Sequence, residues 1–168
     1  FEALGVWHEM ERDSQPILAM RITDSGAEDI SRPTFLQFEG PLAPGEPFAH
    51  MVPNSTTGRV LLGAVEGKVS VVAPATVTGF AAGPRAAALD LSDGRRLVGP
   101  LVVAADGAQS ALRSMVGITT LGHDYGQTGL VTTIGHELPH NGTAYQHFRP
   151  AGPFASLPLP GNRSSLVW

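Results

Sequence analysis

The sequence contains no cysteine. That excludes a disulfide scaffold, a thiolate zinc site and a cysteine nucleophile, and it fits a reducing compartment. Lysine is nearly absent, with Lys68 alone against ten arginines; we read this skew as compositional. Charge of either sign is scarce: charged residues are 15% of the chain and the net charge is −4. Nothing here calls for nucleic acid as a partner. No apolar run reaches the length of a membrane span, and no segment reads as a secretory signal. Without such a signal, the glycosylation-type triplets at Asn54, Asn141 and Asn162 read as chance matches.

What is present is a globular composition, 42% apolar over 168 residues. That is enough for one or two small lobes with a core. Apolar residues at Leu4, Trp7 and Met10 predict a helix over 1–10. Ile17 to Asp24 and Thr34 to Phe38 read as strands, and Pro41, Pro44, Gly45 and Pro47 mark a loop. Ala49 to Val52 is a short extended piece halted by Pro53. A helix capped by Asn54 or Ser55 follows, its face built from Val60, Leu61, Ala64 and Val65.

Val69 to Phe80 is β-rich. Ala86 to Leu91 and Arg96 to Leu97 form a hairpin about Ser92-Asp93-Gly94. Leu101 to Ala105 is a fully apolar run that reads as a buried strand, and Ser110 caps a helix over 111–116. Thr119 to Glu137 is long and β-branched. Thr143 to Phe148, Phe154 to Leu159 and Ser164 to Trp168 are strands joined by tight turns, antiparallel to one another. The fold class is α+β: a mixed, largely antiparallel sheet from 17–52 and 119–168, with a small α/β portion over 54–118. Because sheet strands flank the α/β portion on both sides in sequence, 1–168 reads as one interleaved unit. Phe1 falls in a helical pattern and Trp168 in a strand pattern, so both ends read as cut from a larger protein.

Three motifs compete for a chemical role. His136-Glu137-Leu138-Pro139-His140 has the spacing that puts two imidazoles on one helix face for zinc. Pro139 breaks such a helix and the flanks are strand-like, so a zinc hydrolase is the remote reading. Gly63 to Lys68 is one residue short of a phosphate loop and is dismissed, as is Ser110 as a nucleophile. The third is Asp106-Gly107, with Ser110 and Arg113 following the apolar run. Gly107 permits close backbone approach, and a carboxylate at the end of a strand is where open α/β sheets bind ligands.

Leu101 to Arg113 resembles the Asp-Gly motif of the flavoprotein aromatic hydroxylases, the family typified by para-hydroxybenzoate hydroxylase. Val52-Pro53-Asn54 with Arg59 and Leu61-Leu62 resembles the helix start that contacts the flavin ribityl chain there. Tyr125-Gly126-Gln127-Thr128, His136-Glu137, Pro139-His140, Ala144-Tyr145, Phe148 and the run from Gly152 to Trp168 resemble the ubiquinone-biosynthesis subgroup. The family's Gly-x-Gly-x-x-Gly loop and its later Gly-Asp segment are not found in 1–168.

The resemblance implies a bacterial FAD monooxygenase that hydroxylates a polyprenylated phenol ring in ubiquinone biosynthesis. The flavin would activate oxygen while the protein positions the ring and excludes water. It implies 54–118 as part of the FAD-binding domain and 17–52 with 119–168 as the substrate-domain sheet. Asp106, Gly107, Asn54, Arg59 and Arg113 are implied at FAD. Tyr145, Phe154 and Leu157 are candidates for lining the substrate, and no general base or metal is assigned. NAD(P)H is the implied electron donor. The missing N- and C-terminal parts of the enzyme are implied partners, and the isolated piece is expected to be inactive. The expected location is cytoplasmic, peripheral to the inner membrane. The alternative is a non-catalytic β-rich domain that self-associates into a homo-oligomer.

Overall fold

The computed structural model describes residues 1–26, 32–40 and 46–168. The loop expected at Pro41, Pro44 and Gly45 lies outside them. The chain divides into two compact units, one of residues 1–68 with 127–168 and one of 69–126. The helix after Pro53, which the expected α/β portion over 54–118 includes, falls in the first unit.

In that unit a 3₁₀ turn (Glu2–Leu4) leads to α1 (Trp7–Arg12), then β1 (Gln15–Ile17), β2 (Ala19–Asp24), β3 (Thr34–Glu39), β4 (Ala49–Met51) and α2 (Asn54–Val65). The expected single strand over 17–24 is split at Leu18, whose N–H bonds to the carbonyl of Gly142. β1 pairs antiparallel with β4. The core here is small: Val6, Met10 and Val60 are buried, with Trp7, Val52, Leu61 and Ala64 packed around them. α1 and α2 therefore meet through the apolar stripes that the helical period anticipates. Trp7 sets its ring edge-on to His50 of β4 at 4.8 Å, and Ser14 Oγ bonds His50 Nδ1 at 2.9 Å. These contacts fix β4, and with it the entry to α2.

In the second unit β5 (Val77–Ala82), β6 (Ala87–Leu91) and β7 (Arg96–Gly99) make a three-stranded sheet in sequence order, followed by α3 (Ala111–Met115). The β6–β7 hairpin turns where Asp93-Gly94 predicts. Gly94 takes φ +85°, and the Asp93 carboxylate accepts from the N–H of Arg95 at 3.0 Å. Of the expected β-rich stretch 69–80 only 77–80 is strand, the first part of β5. The run 101–105 is not a strand either. A ladder needs a partner strand, and among the described residues none pairs with it; Leu101 and Val103 stand 77% and 74% exposed.

The first unit resumes with β8 (Val131–Gly135), β9 (Thr143–Phe148), β10 (Phe154–Leu159) and β11 (Arg163–Val167). With β2 and β3 they form a six-stranded sheet in the order β3-β2-β9-β10-β11-β8. Every pairing is antiparallel except β2 with β9. Mixed, largely antiparallel sheet with few helices is the class the sequence predicts. Of the long stretch 119–137, only 131–135 is strand. His147 ties the parallel pair together. Its two ring nitrogens meet Thr23 Oγ1 at 2.6 Å and Ser25 Oγ at 3.0 Å, and the ring is buried. Pro158 sits inside β10 because pairing with β9 stops at Ser156, leaving an unpaired edge that tolerates proline.

Candidate functional site

Asp106 and Gly107 come to the start of α3, and the local chemistry explains why. The helix opens at Ser110, whose side chain accepts from the N–H of Arg113 at 3.0 Å, the N-cap arrangement the sequence predicts. The Ser110 hydroxyl in turn donates to Asp106 Oδ1 at 2.5 Å, and the N–H of Leu112 donates to Oδ2 at 3.2 Å. Asp106 is thus a second cap, tying the extended segment to the helix. The Ser110 hydroxyl, and after it the Leu112 N–H, hold the Asp106 carboxyl below its ordinary range. The carboxylate stays exposed, with further lone pairs open to a donor.

Gly107 takes φ +84°, and a Cβ placed there would meet nothing within 4 Å. Backbone at this point is bare. The N–H groups of Gly107, Ala108 and Gln109 bond to no acceptor among the described residues. Asp106, Gly107, Ser110 and Arg113 line a pocket of about 440 Å³, closed behind by Phe80 and Val102. Arg113 does not reach Asp106; its guanidinium donates to the carbonyl of Ala108 at 2.8 Å and braces the turn. A carboxylate that accepts from a hydroxyl, beside bare N–H groups that donate to an anion, suits a sugar-phosphate ligand such as the ribose and pyrophosphate of FAD.

Replacing Ser110 by alanine tests the cap. The expected cost is about 1 kcal/mol of stability. The Asp106 carboxyl should also rise toward its ordinary value, which an NMR titration of the side chain reads directly.

Asn54 and Arg59 lie in the other unit. Pro53, not Asn54 or Ser55, occupies the N-cap position of α2, and no side chain caps it. The reason is that the fixed φ of proline already sets the entry, with its carbonyl accepting from the N–H of Thr57 at 3.1 Å. The Asn54 side chain is left over, and it lines a pocket of about 420 Å³ with Val52, Pro53, Thr133, Arg163 and Ser165. Arg59 points elsewhere: it pairs with Asp13 at 3.0 Å, and Asp13 also accepts from Thr56.

Sheet register separates the three apolar candidates. Tyr145 lies opposite Ser156, so it shares a face with Phe154 and Ser156. Leu157 alternates to the reverse face, the one carrying Leu159, Arg163, Ser165 and Thr133. Phe154 packs instead on Trp168, over which Arg149 also lies. One pocket wall therefore does not hold Tyr145, Phe154 and Leu157 together. Arg163 and Ser165 fall in the run that resembles the ubiquinone-biosynthesis subgroup but were given no site role there, and only the sheet register brings Thr133 of β8 beside them.

His136 and His140 lie beyond the end of β8 and not on a helix. His140 Nδ1 accepts from the N–H of Gly142, and Nε2 meets the carbonyls of Leu159 and Gly161. His136 bonds the Leu138 carbonyl and Ser164 Oγ. Both rings are spent on holding turns. Among the described residues no group of three His, Asp or Glu side chains is placed to hold a metal ion.

Residues 1–167 match the family described as FAD binding domain. The chain belongs to that family. Within the FAD binding domain family, the ubiquinone hydroxylase UbiL of Rhodospirillum rubrum is 42% identical over 172 residues, covering 99% of this chain and 38% of that protein. The ubiquinone biosynthesis monooxygenase COQ6 of Rattus norvegicus is 38% identical over 116 residues, 64% of this chain and 24% of that protein. The chain therefore spans about two-fifths of the first relative's length or less. Among solved structures, Klebsiella pneumoniae HpxO complexed with FAD and uric acid superposes with a TM-score of 0.77 at 22% identity, over 99% of this chain and 43% of that one. That likeness shows the fold.

Proposed function

We propose that these residues are part of an FAD-dependent monooxygenase that hydroxylates a polyprenylated phenol ring in ubiquinone biosynthesis. The observation that carries the reading is the 42% identity to a ubiquinone hydroxylase along 99% of the chain. The pocket at Asp106 and Gly107 supports it, because its donors and acceptors match a ribose and pyrophosphate.

Bound FAD supplies the oxygen chemistry. This chain's own residues hold and orient. Asp106 accepts from a ribose hydroxyl, and the bare N–H groups from Gly107 onward donate to phosphate oxygens. Arg113 acts indirectly, by bracing the turn. Asn54 reaches the flavin chain from the start of α2, and Arg59 acts through Asp13 by steadying that helix. Leu157 contributes apolar wall on the sheet face that carries the second pocket. NAD(P)H is the electron donor, and the rest of the longer protein completes the cofactor site. Among the described residues no helix is long and apolar enough to cross a membrane, and a polyprenyl substrate would bring the enzyme to a membrane surface.

The test is a visible spectrum of the whole protein after mixing with FAD and desalting, followed by NAD(P)H oxidation with and without an alkylphenol. Retained flavin and phenol-stimulated oxidation are expected. A protein that returns colourless from desalting would sink the reading.

A further inference from the structure

The second pocket has a polar end that neither the cap chemistry nor the cofactor assignment uses. Arg163 opens β11 and lies opposite Leu159 on one side and Gly135 on the other. Its Nε donates to the carbonyl of Pro160 at 3.0 Å, which pins the guanidinium to the β10–β11 turn. No carboxylate pairs with it among the described residues. Ser165 sits two residues along on the same face, directly across from Thr133 of β8. The hydroxyls of Ser165 and Thr133 bond to no other side chain or backbone group among the described residues, and neither does the amide of Asn54 on the facing wall. The remaining walls are apolar: Met51, Val52, Pro53, Leu159 and Pro160.

An unpaired guanidinium held in place beside two unspent hydroxyls, over proline and aliphatic walls, is a receptor for a flat apolar ring carrying oxygen. Guanidinium donors bind an oxygen that bears negative charge or partial charge, and they add geometric selection to strength. The pocket, about 420 Å³, has room for one substituted ring and the base of a chain.

Resting on the monooxygenase reading above, we propose that Arg163, with Ser165 and Thr133 beside it, anchors the ring oxygen of the phenolic substrate. The flavin's own ring also carries oxygens, so the experiment separates the two sources. In the whole protein, binding of an ortho-alkylphenol and of its methyl ether is measured by ligand-observed NMR and by quenching of bound flavin. The wild type should prefer the phenol by about tenfold or more, the scale of one charge-assisted hydrogen bond. Arg163→Gln should bind both compounds alike, with flavin content and flavin spectrum unchanged. Arg163→Lys, which keeps the charge, should recover part of the preference and guards against a folding defect in the glutamine variant.

A glutamine variant that still prefers the phenol would overturn the assignment. So would a wild type that treats the two alike. Loss of flavin, or a shifted flavin spectrum in both variants, would give the guanidinium to the cofactor and overturn it as well. Phenol binding by NMR needs no flavin, so a colourless wild-type protein would count against the monooxygenase reading and leave the anchor separately decided.

Discussion

Met10→Ala is expected to destabilise the unit of residues 1–68 and 127–168 by about 2–5 kcal/mol, the usual range for emptying a buried methionine site. Met10 has no solvent exposure, and its neighbours are Val6 and Val60, with Trp7, Val52, Leu61 and Ala64 around them. Few side chains are available to close the gap. Among the described residues only nine apolar side chains are buried, Pro158 included, and several of those lie far from this cluster in sequence. A small core gives each member a large share of the total. Urea unfolding followed by tryptophan fluorescence reads the change, because Trp7 borders the cavity. The midpoint should fall while the slope stays constant. A loss below about 1 kcal/mol would mean that α1 and α2 collapse onto the space, contrary to the packing described. The same cavity should loosen Val52, which touches the core and also lines the pocket beside Asn54. Core packing thus supports the site.

Which features the sequence disclosed depends on how far apart the deciding residues lie. The hairpin at Asp93-Gly94 and the cap at Ser110 are decided within a few residues, and both are where the pattern puts them. The strands from 143 to 167 are marked by their own tight turns. The run 101–105 shows the limit of local reading: an apolar stretch has strand propensity, but a strand exists only where another supplies the ladder. Pro53 displaced the expected cap because its ring sets φ before any side-chain acceptor is needed. The parallel pairing of β2 with β9 rests on residues such as Thr23 and His147, 124 positions apart, and no turn signal announces it.

The candidate site follows the same division. Asp106, Gly107, Ser110 and Arg113 are close neighbours, and the chain brings them to one pocket as the motif implies. The grouping of Tyr145, Phe154 and Leu157 was a matter of residue type. Phe154 and Leu157 are three apart on one strand, so alternation alone places them on opposite faces. Placing Tyr145 requires the register with Ser156. Arg163, Ser165 and Thr133 meet only through the pairing of β11 with β8, so the run from Gly152 to Trp168, which holds the first two, gives no sign of Thr133 beside them.

Asp106 carries the second large effect, and two variants divide its roles. Asp106→Ala removes both acceptors, so the Ser110 hydroxyl and the Leu112 N–H lose their partner, and the ligand loses its carboxylate. FAD retention in the whole protein should fall by about tenfold or more, with fraying of α3. Asp106→Asn keeps one acceptor of the same shape for the cap but removes the charge. It should preserve α3, seen in its amide exchange, while still weakening FAD. If the asparagine variant holds FAD like the wild type, the carboxylate serves the fold alone.

The pH dependence follows from the direction of the shift. Folding holds this carboxyl below its unfolded value, chiefly through the Ser110 hydroxyl. Its contribution to stability is therefore complete above the unfolded value, about 3.9 for an aspartate. It is lost as pH falls through the lower folded value. The stability gap between wild type and Asp106→Asn should be widest near neutrality and shrink in acid below about pH 4. Denaturant midpoints of the two proteins, measured side by side down that range, provide the check. A gap that stays constant with pH would show that the ionised form has no preference for the folded state, and the double cap at α3 would then be a contact without electrostatic weight.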